Sequence, residues 1–182
     1  DAALAPVHRL DRGTSGAMLF SRNAQAAAFL AEAMRERRIN KTYLALVQGI
    51  PREQEFTVDV PIGRVAHPLL GEVFAAAEGG KASVSHCRVL RSDTANDTSL
   101  LEVHIPTGRP HQIRIHCAAA GFPLEGDPLY EAGGLPFQPN EGRMAVPGDG
   151  GYLLHSWYIA FPDPVTGEQT QVSAPAPDVL AP

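Results

Sequence analysis

The sequence is poor in cysteine and, over its final third, almost devoid of cations. Cys87 and Cys117 are the only two cysteines and show no framework spacing. That argues against a disulfide scaffold and for reduced, buried thiols, as in a cytosolic protein. No apolar run approaches the ~18 residues that a membrane span needs. No charged-then-apolar leader opens the chain, so a cytoplasmic protein without membrane contact is expected. A phosphate-binding loop is missing as well: RGTSG (12–16) lacks both the glycine spacing and the lysine of one. G-T-S-G is one residue short of a serine nucleophile elbow. Seven histidines invite a metal site, yet His111 and His116 are five apart, and the neighbours His86 and Cys87 face opposite ways on a strand. Neither pair has a zinc spacing. The histidines are expected in the core or as caps, with no metal, nucleotide or other cofactor.

What is present suits one well-packed domain of 182 residues, 44% hydrophobic and 19% charged. The net charge of −5 is unevenly spread. Residues 1–50 carry seven Lys/Arg against four Asp/Glu, whereas residues 118–182 carry Arg143 alone against eight acids. The acidity therefore lies in the C-terminal third. RRINK (37–41) and the arginines near Asp11 are left free to form a cationic face.

GAMLFS (16–21) is an apolar run suited to a buried, central strand. Asn23 is a good N-cap for a helix over 24–38, whose Ala27, Leu30, Ala31 and Met34 form one apolar face. TYLALVQG (42–49) reads as a strand, and residues 63–80 as loop or irregular hairpin. ASVSHCRVL (82–90) and SLLEVHI (99–105) are predicted strands joined by a polar turn. HQIRIHCAAA (111–120) is a short helix between Pro110 and Gly121. LEGDPLY (124–130) and residues 131–151 read as a long surface loop, 152–161 as a last strand, and 163–182 as a loose tail. The predicted class is α+β with a largely antiparallel sheet.

Two charged clusters remain. HRLDRGTSG (8–16) sets Asp11 between Arg9 and Arg12; TGRPHQIRIH (107–116) brings Arg109 and Arg114 to a strand end entering a helix. Asp11 is either half of an ordinary ion pair or a carboxylate held ionised for chemistry. Arg109 and Arg114 are five apart, so at most one is expected to reach a common site. Tyr43 is either a core residue or a site residue.

HRLDRGTSG, KTYLALVQG (41–49) and TGRPHQIRIHCAAAGFPLEGDPLY (107–130), in this order and spacing, resemble the RluA-type pseudouridine synthases over roughly residues 6–160. The resemblance implies a mixed, mostly antiparallel central sheet flanked by helices and loops, with the active cleft across it. It implies isomerisation of uridine to pseudouridine in structured RNA, rRNA or tRNA, with the target base flipped out. Asp11 would be the catalytic nucleophile; Tyr43 would lie against the uracil and help remove its C5 proton. Arg114 would hold Asp11 ionised, and Arg9 would fill the place of the flipped base. Arg12, Arg37, Arg38 and Lys41 would meet RNA. Strands that usually precede the HRLD motif are not in this sequence, so the expectation is a single catalytic domain over 1–182, monomeric and without them. The rival readings are an inactive RNA-binding relative or fragment, and a hydrolase, which would need a second acid near Asp11.

Overall fold

The computed structural model describes residues 4–138 and 151–182. Along the chain lie β1 (Ala5–Pro6), β2 (Ser15–Gly16), β3 (Phe20–Ser21), α1 (Ala24–Arg35), β4 (Asn40–Gln48), β5 (Glu55–Asp59), β6 (Ile62–His67) and β7 (Gly71–Ala76). They are followed by β8 (Val84–Asp93), β9 (Thr98–His104), α2 (Gln112–Ala119), β10 (Tyr130–Glu131), β11 (Leu135–Pro136), β12 (Leu154–Pro162), β13 (Gln169–Ser173) and a 3₁₀ turn, Asp178–Leu180. The central sheet runs β13-β12-β4-β9-β8-β5, antiparallel throughout, and β2 adds to β12 in parallel. The class is α+β with a mostly antiparallel sheet, as the sequence predicts.

The middle strand β4 explains its own sequence. Tyr43, Ala45 and Val47 point to one face, against Leu101, Val103, Ile113 and Cys117. Leu44 and Leu46 point to the other, against Leu100 and Leu180. With both faces covered, the strand reads as an unbroken apolar run rather than an alternating one. Asn23 caps α1 through its Oδ1, which accepts from the Ala26 N–H at 2.8 Å. The helix buries Leu30 and Ala33 against Ile159 and Phe161 of β12.

Several expectations are corrected. GAMLFS is not a central strand: it divides between β2 and β3, and Gly16, Met18 and Phe20 are exposed. Gly16 lies in the left-handed region (φ 110°), and a Cβ there would sit 2.2 Å from the Ser156 carbonyl oxygen. Helix α1 ends three residues early, and Ala31 is exposed rather than part of its buried face. The stretch before the 82–90 strand holds an edge strand, β5, as well as the β6–β7 hairpin. The tail is not loose. β13 pairs with β12, and Leu180 is 2% exposed beneath β4, a burial worth roughly 1.5–3 kcal/mol. Arg91 also donates to the Val179 carbonyl at 3.0 Å. LEGDPLY is not surface loop: Leu124, Asp127, Leu129 and Tyr130 are buried, while Arg143 and most of the 131–151 loop lie outside the described residues.

Candidate active site

The segment after Asp11 is fastened to β12 contact by contact. The Thr14 N–H closes a turn onto the Asp11 carbonyl at 2.9 Å, and the Gly13 N–H donates to the Tyr152 hydroxyl at 3.2 Å. Ser15 Oγ shares a 2.8 Å hydrogen bond with His155 Nδ1, and β2 then pairs with His155 and Ser156. β12 is in turn the neighbour of β4, with Ser156 opposite Tyr43. The small and polar residues of RGTSG thus fit the loop closely against a strand, leaving Asp11 at a cleft of about 500 Å³.

Asp11, Tyr43 and Arg114 all line this cleft, together with Arg9, Arg37 and Lys41. Arg12 and Arg38 are not among its lining residues. Arg38 is turned to Glu36 at 2.7 Å and lies over the Phe29 ring. Arg35, not singled out from the sequence, does line it, and so does Arg109, which corrects the expectation that at most one of Arg109 and Arg114 would reach the site. Arg109 and Arg114 share the cleft because α2 begins only at Gln112, so helical spacing does not separate them.

Asp11 makes no ion pair within 4 Å among the described residues, neither with Arg9 and Arg12 nor with Arg114. The sequence-based pairing of Arg114 with Asp11 is therefore corrected. Arg114, fully buried, grips Asp127 through Nε–Oδ2 and Nη2–Oδ1, both 2.7 Å. Asp127 is held by the backbone N–H groups of Leu129 and Tyr130 at 2.9 and 3.1 Å. The guanidinium lies 4.2 Å from the centre of the Tyr152 ring and 4.9 Å from that of Tyr130. Burial works against its charge, but the Asp127 carboxylate outweighs burial and the net shift is upward. Tyr152 touches both the Arg114 cation and the loop behind Asp11, so one ring ties the two motifs together.

The Tyr43 phenol is pushed up to about 12, first by burial; the Asp11 charge adds to this, and the neighbouring Ser156 hydroxyl opposes it. At neutral pH it is a phenol, not a phenolate. The histidines serve the scaffold: His116 bonds Ser85 Oγ and the Val60 carbonyl, and His111 bonds the Tyr130 hydroxyl. Among the described residues no three His, Cys, Asp or Glu side chains are grouped so as to hold a metal. No helix among them is long and apolar enough to cross a membrane.

Arg37 occupies a costly position. After α1, the Arg38 N–H bonds the Ala33 carbonyl at 2.8 Å and the Arg37 N–H bonds that of Met34 at 3.2 Å. This closure normally places glycine where Arg37 sits, at φ 58°. Arg37→Gly is expected to stabilise the fold by about 1 kcal/mol in urea denaturation. Lower stability in the glycine variant would mean that contacts of the Arg37 side chain outweigh its backbone strain.

Fold and site together define a class: an α+β domain with a cationic cleft built around one carboxylate. Residues 1–119 match the model of the RNA pseudouridylate synthase family. An uncharacterized RNA pseudouridine synthase of Synechocystis is 39% identical, over 98% of this chain and 60% of its own. RNA pseudouridine synthase 5 of Oryza sativa is 39% identical, over 96% of this chain and 53% of its own. The structure of human RNA pseudouridylate synthase domain containing 1 superposes with a TM-score of 0.73 at 32% identity, covering 96% of this chain and 70% of that one. The chain belongs to the RNA pseudouridylate synthase family. It spans about 50–60% of the length of the curated relatives it matches.

Proposed function

We propose that this chain isomerises uridine to pseudouridine in structured RNA, rRNA or tRNA, using Asp11 and no cofactor. The observation that carries this reading is that Asp11 is the one carboxylate among the described residues lining the cleft. Hydrolysis of a glycosidic bond would generally need a second acid to protonate the leaving group or direct water. Isomerisation needs neither: the N1–C1′ bond breaks, the base turns, C5–C1′ forms, C5 loses a proton and N1 gains one.

Each residue then has a task. Asp11 supplies the nucleophilic or charge-stabilising carboxylate, unpaired and so free to meet the nucleotide. Tyr43 offers a ring face and, being protonated, a hydrogen-bond donor; it accepts the C5 proton only after giving up its own, so it is no simple base. Arg114 presents a fixed positive charge whose direction Asp127, Tyr130 and Tyr152 set. Extracting a stacked base costs a few kcal/mol, and Arg9, exposed at the cleft rim, can offset part of this by stacking its planar cation in the gap. Arg35, Arg37 and Arg109 face the phosphates around it. Arg12, exposed beside the loop, is a candidate for more distant RNA contact, and Arg38 a weaker one because Glu36 already neutralises it.

The test is to map pseudouridines in rRNA and tRNA from cells with and without the gene. A site lost on deletion and restored by the wild-type chain is the expected result; an identical map would overturn the reading. Turnover in vitro is expected to survive exhaustive chelation, and a loss restored by zinc would reopen a metal role.

A further inference from the structure

Lys41 is the anomaly of the cleft. It is 7% exposed and lines the cleft, where its ammonium keeps access to solvent, yet among the described residues no carboxylate lies within 4 Å of it. A mostly buried cation without a counter-ion is unfavourable. Burial alone draws its pKa down from the ordinary lysine value. Its surroundings offer no relief. His8 lines the same cleft with its Nε2 committed to the Leu19 N–H at 3.1 Å, and burial and then the Lys41 charge keep that ring neutral. His104 also feels the Lys41 charge. The backbone makes room for the ammonium: a Cβ on Gly108 would lie 3.1 Å from Nζ. The sheet thus holds one positive charge at the cleft wall with space beside it and nothing to balance it.

We infer that Lys41 is a phosphate subsite, taking one backbone phosphate of the RNA next to the flipped nucleotide. The proposal rests on the RNA reading above. An RNA phosphate is favoured over a free one because Arg9, Arg35 and Arg37 line the same cleft and form a cationic path leading to it. The entering anion neutralises the ammonium in a poorly hydrated place, where a charge-assisted hydrogen bond is strong.

The experiment is filter binding of a uridine-containing RNA stem-loop over a salt series, with wild type, Lys41→Met and Lys41→Arg, alongside melting temperatures with and without sulfate. Lys41→Met is expected to weaken binding about ten-fold and to reduce the slope of log affinity against log salt by about 0.7–0.9. It is expected to raise the melting temperature by about 2–4 °C, since an unbalanced charge is removed; a merely structural lysine would lower it. Lys41→Arg should keep the slope. Wild-type affinity and slope in Lys41→Met would overturn the subsite, as would a loss of turnover with binding intact, which would place Lys41 at the reacting base. Sulfate protection that vanishes in Lys41→Met while RNA affinity does not change would make it a free-phosphate site and overturn the RNA assignment. Binding is read without turnover, so failure of the synthase reading, seen in the pseudouridine map, stays distinct from failure of this one.

Discussion

Asp11→Asn is expected to abolish isomerisation, by at least on the order of 10⁴-fold, the scale seen when a nucleophile is removed. RNA affinity should stay within a few-fold. The amide keeps the volume of the carboxylate, removes its charge and turns one of its two acceptors into a donor. Stability should hardly move, because the Asp11 side chain makes no ion pair among the described residues and no buried partner is stranded. A change within about 0.5 kcal/mol is anticipated. This combination separates a chemical role from a structural one. Single-turnover assays beside melting curves provide the check. Turnover above contaminating wild type, or a large loss of stability, would remove Asp11 from the chemistry. An inactive RNA-binding relative would show the same RNA binding and no difference in turnover between the two chains.

How much of this was legible in the sequence depended on the range of the interactions involved. Asp11, Tyr43 and Arg114 stood out because each sits in one of the three blocks that carry the family resemblance, and the structure brings all three to one cleft. Helix α1 was legible because its cap and its alanines act within a few residues. Its end was not, because Arg37 takes a left-handed conformation that arginine disfavours. The tail was misread because a few polar and proline-rich residues carry no periodic signal; it is ordered by β12 and by one leucine reaching beneath β4. GAMLFS was misread for the opposite reason. It is apolar enough for a core strand, but β4 holds one edge of β12 and β13 much of the other, and only Gly16 of the run finds a place beside it. The partner of Arg114 was missed because LEGDPLY reads as surface loop and its acids count only toward the net charge. One of the eight acids of the C-terminal third, Asp127, is buried at the site. Spacing along the chain does not distinguish it from the other seven. Only the fold, which turns the chain back after α2, puts it 2.7 Å from the guanidinium.

That buried pair carries the largest expected effect on stability. Asp127→Asn should destabilise the chain by about 3–5 kcal/mol, because Arg114, fully buried and held charged, would lose its counter-ion. Against a typical total of about 5–15 kcal/mol this brings the fold near its limit. Asparagine keeps an oxygen for the Leu129 and Tyr130 N–H groups, so the loss falls on the pair with Arg114, where the amide N–H would face the Arg114 Nε–H, rather than on the turn. Arg114→Met should destabilise to a comparable degree, with Asp127 now the stranded charge. The double variant, Arg114→Met with Asp127→Leu, should recover much of the stability, since two uncharged side chains leave nothing unpaired. It should recover none of the turnover, since the cation between Tyr130 and Tyr152 is gone. Urea denaturation of these proteins, with the Asp127→Leu single variant added to close the cycle, gives the coupling, and single-turnover assays give the rate. If Asp127→Asn lies within 1 kcal/mol of wild type, the pair is not what holds Arg114. If the double variant turns over normally, the buried cation has no part in the reaction, and Asp11 works with Tyr43 alone.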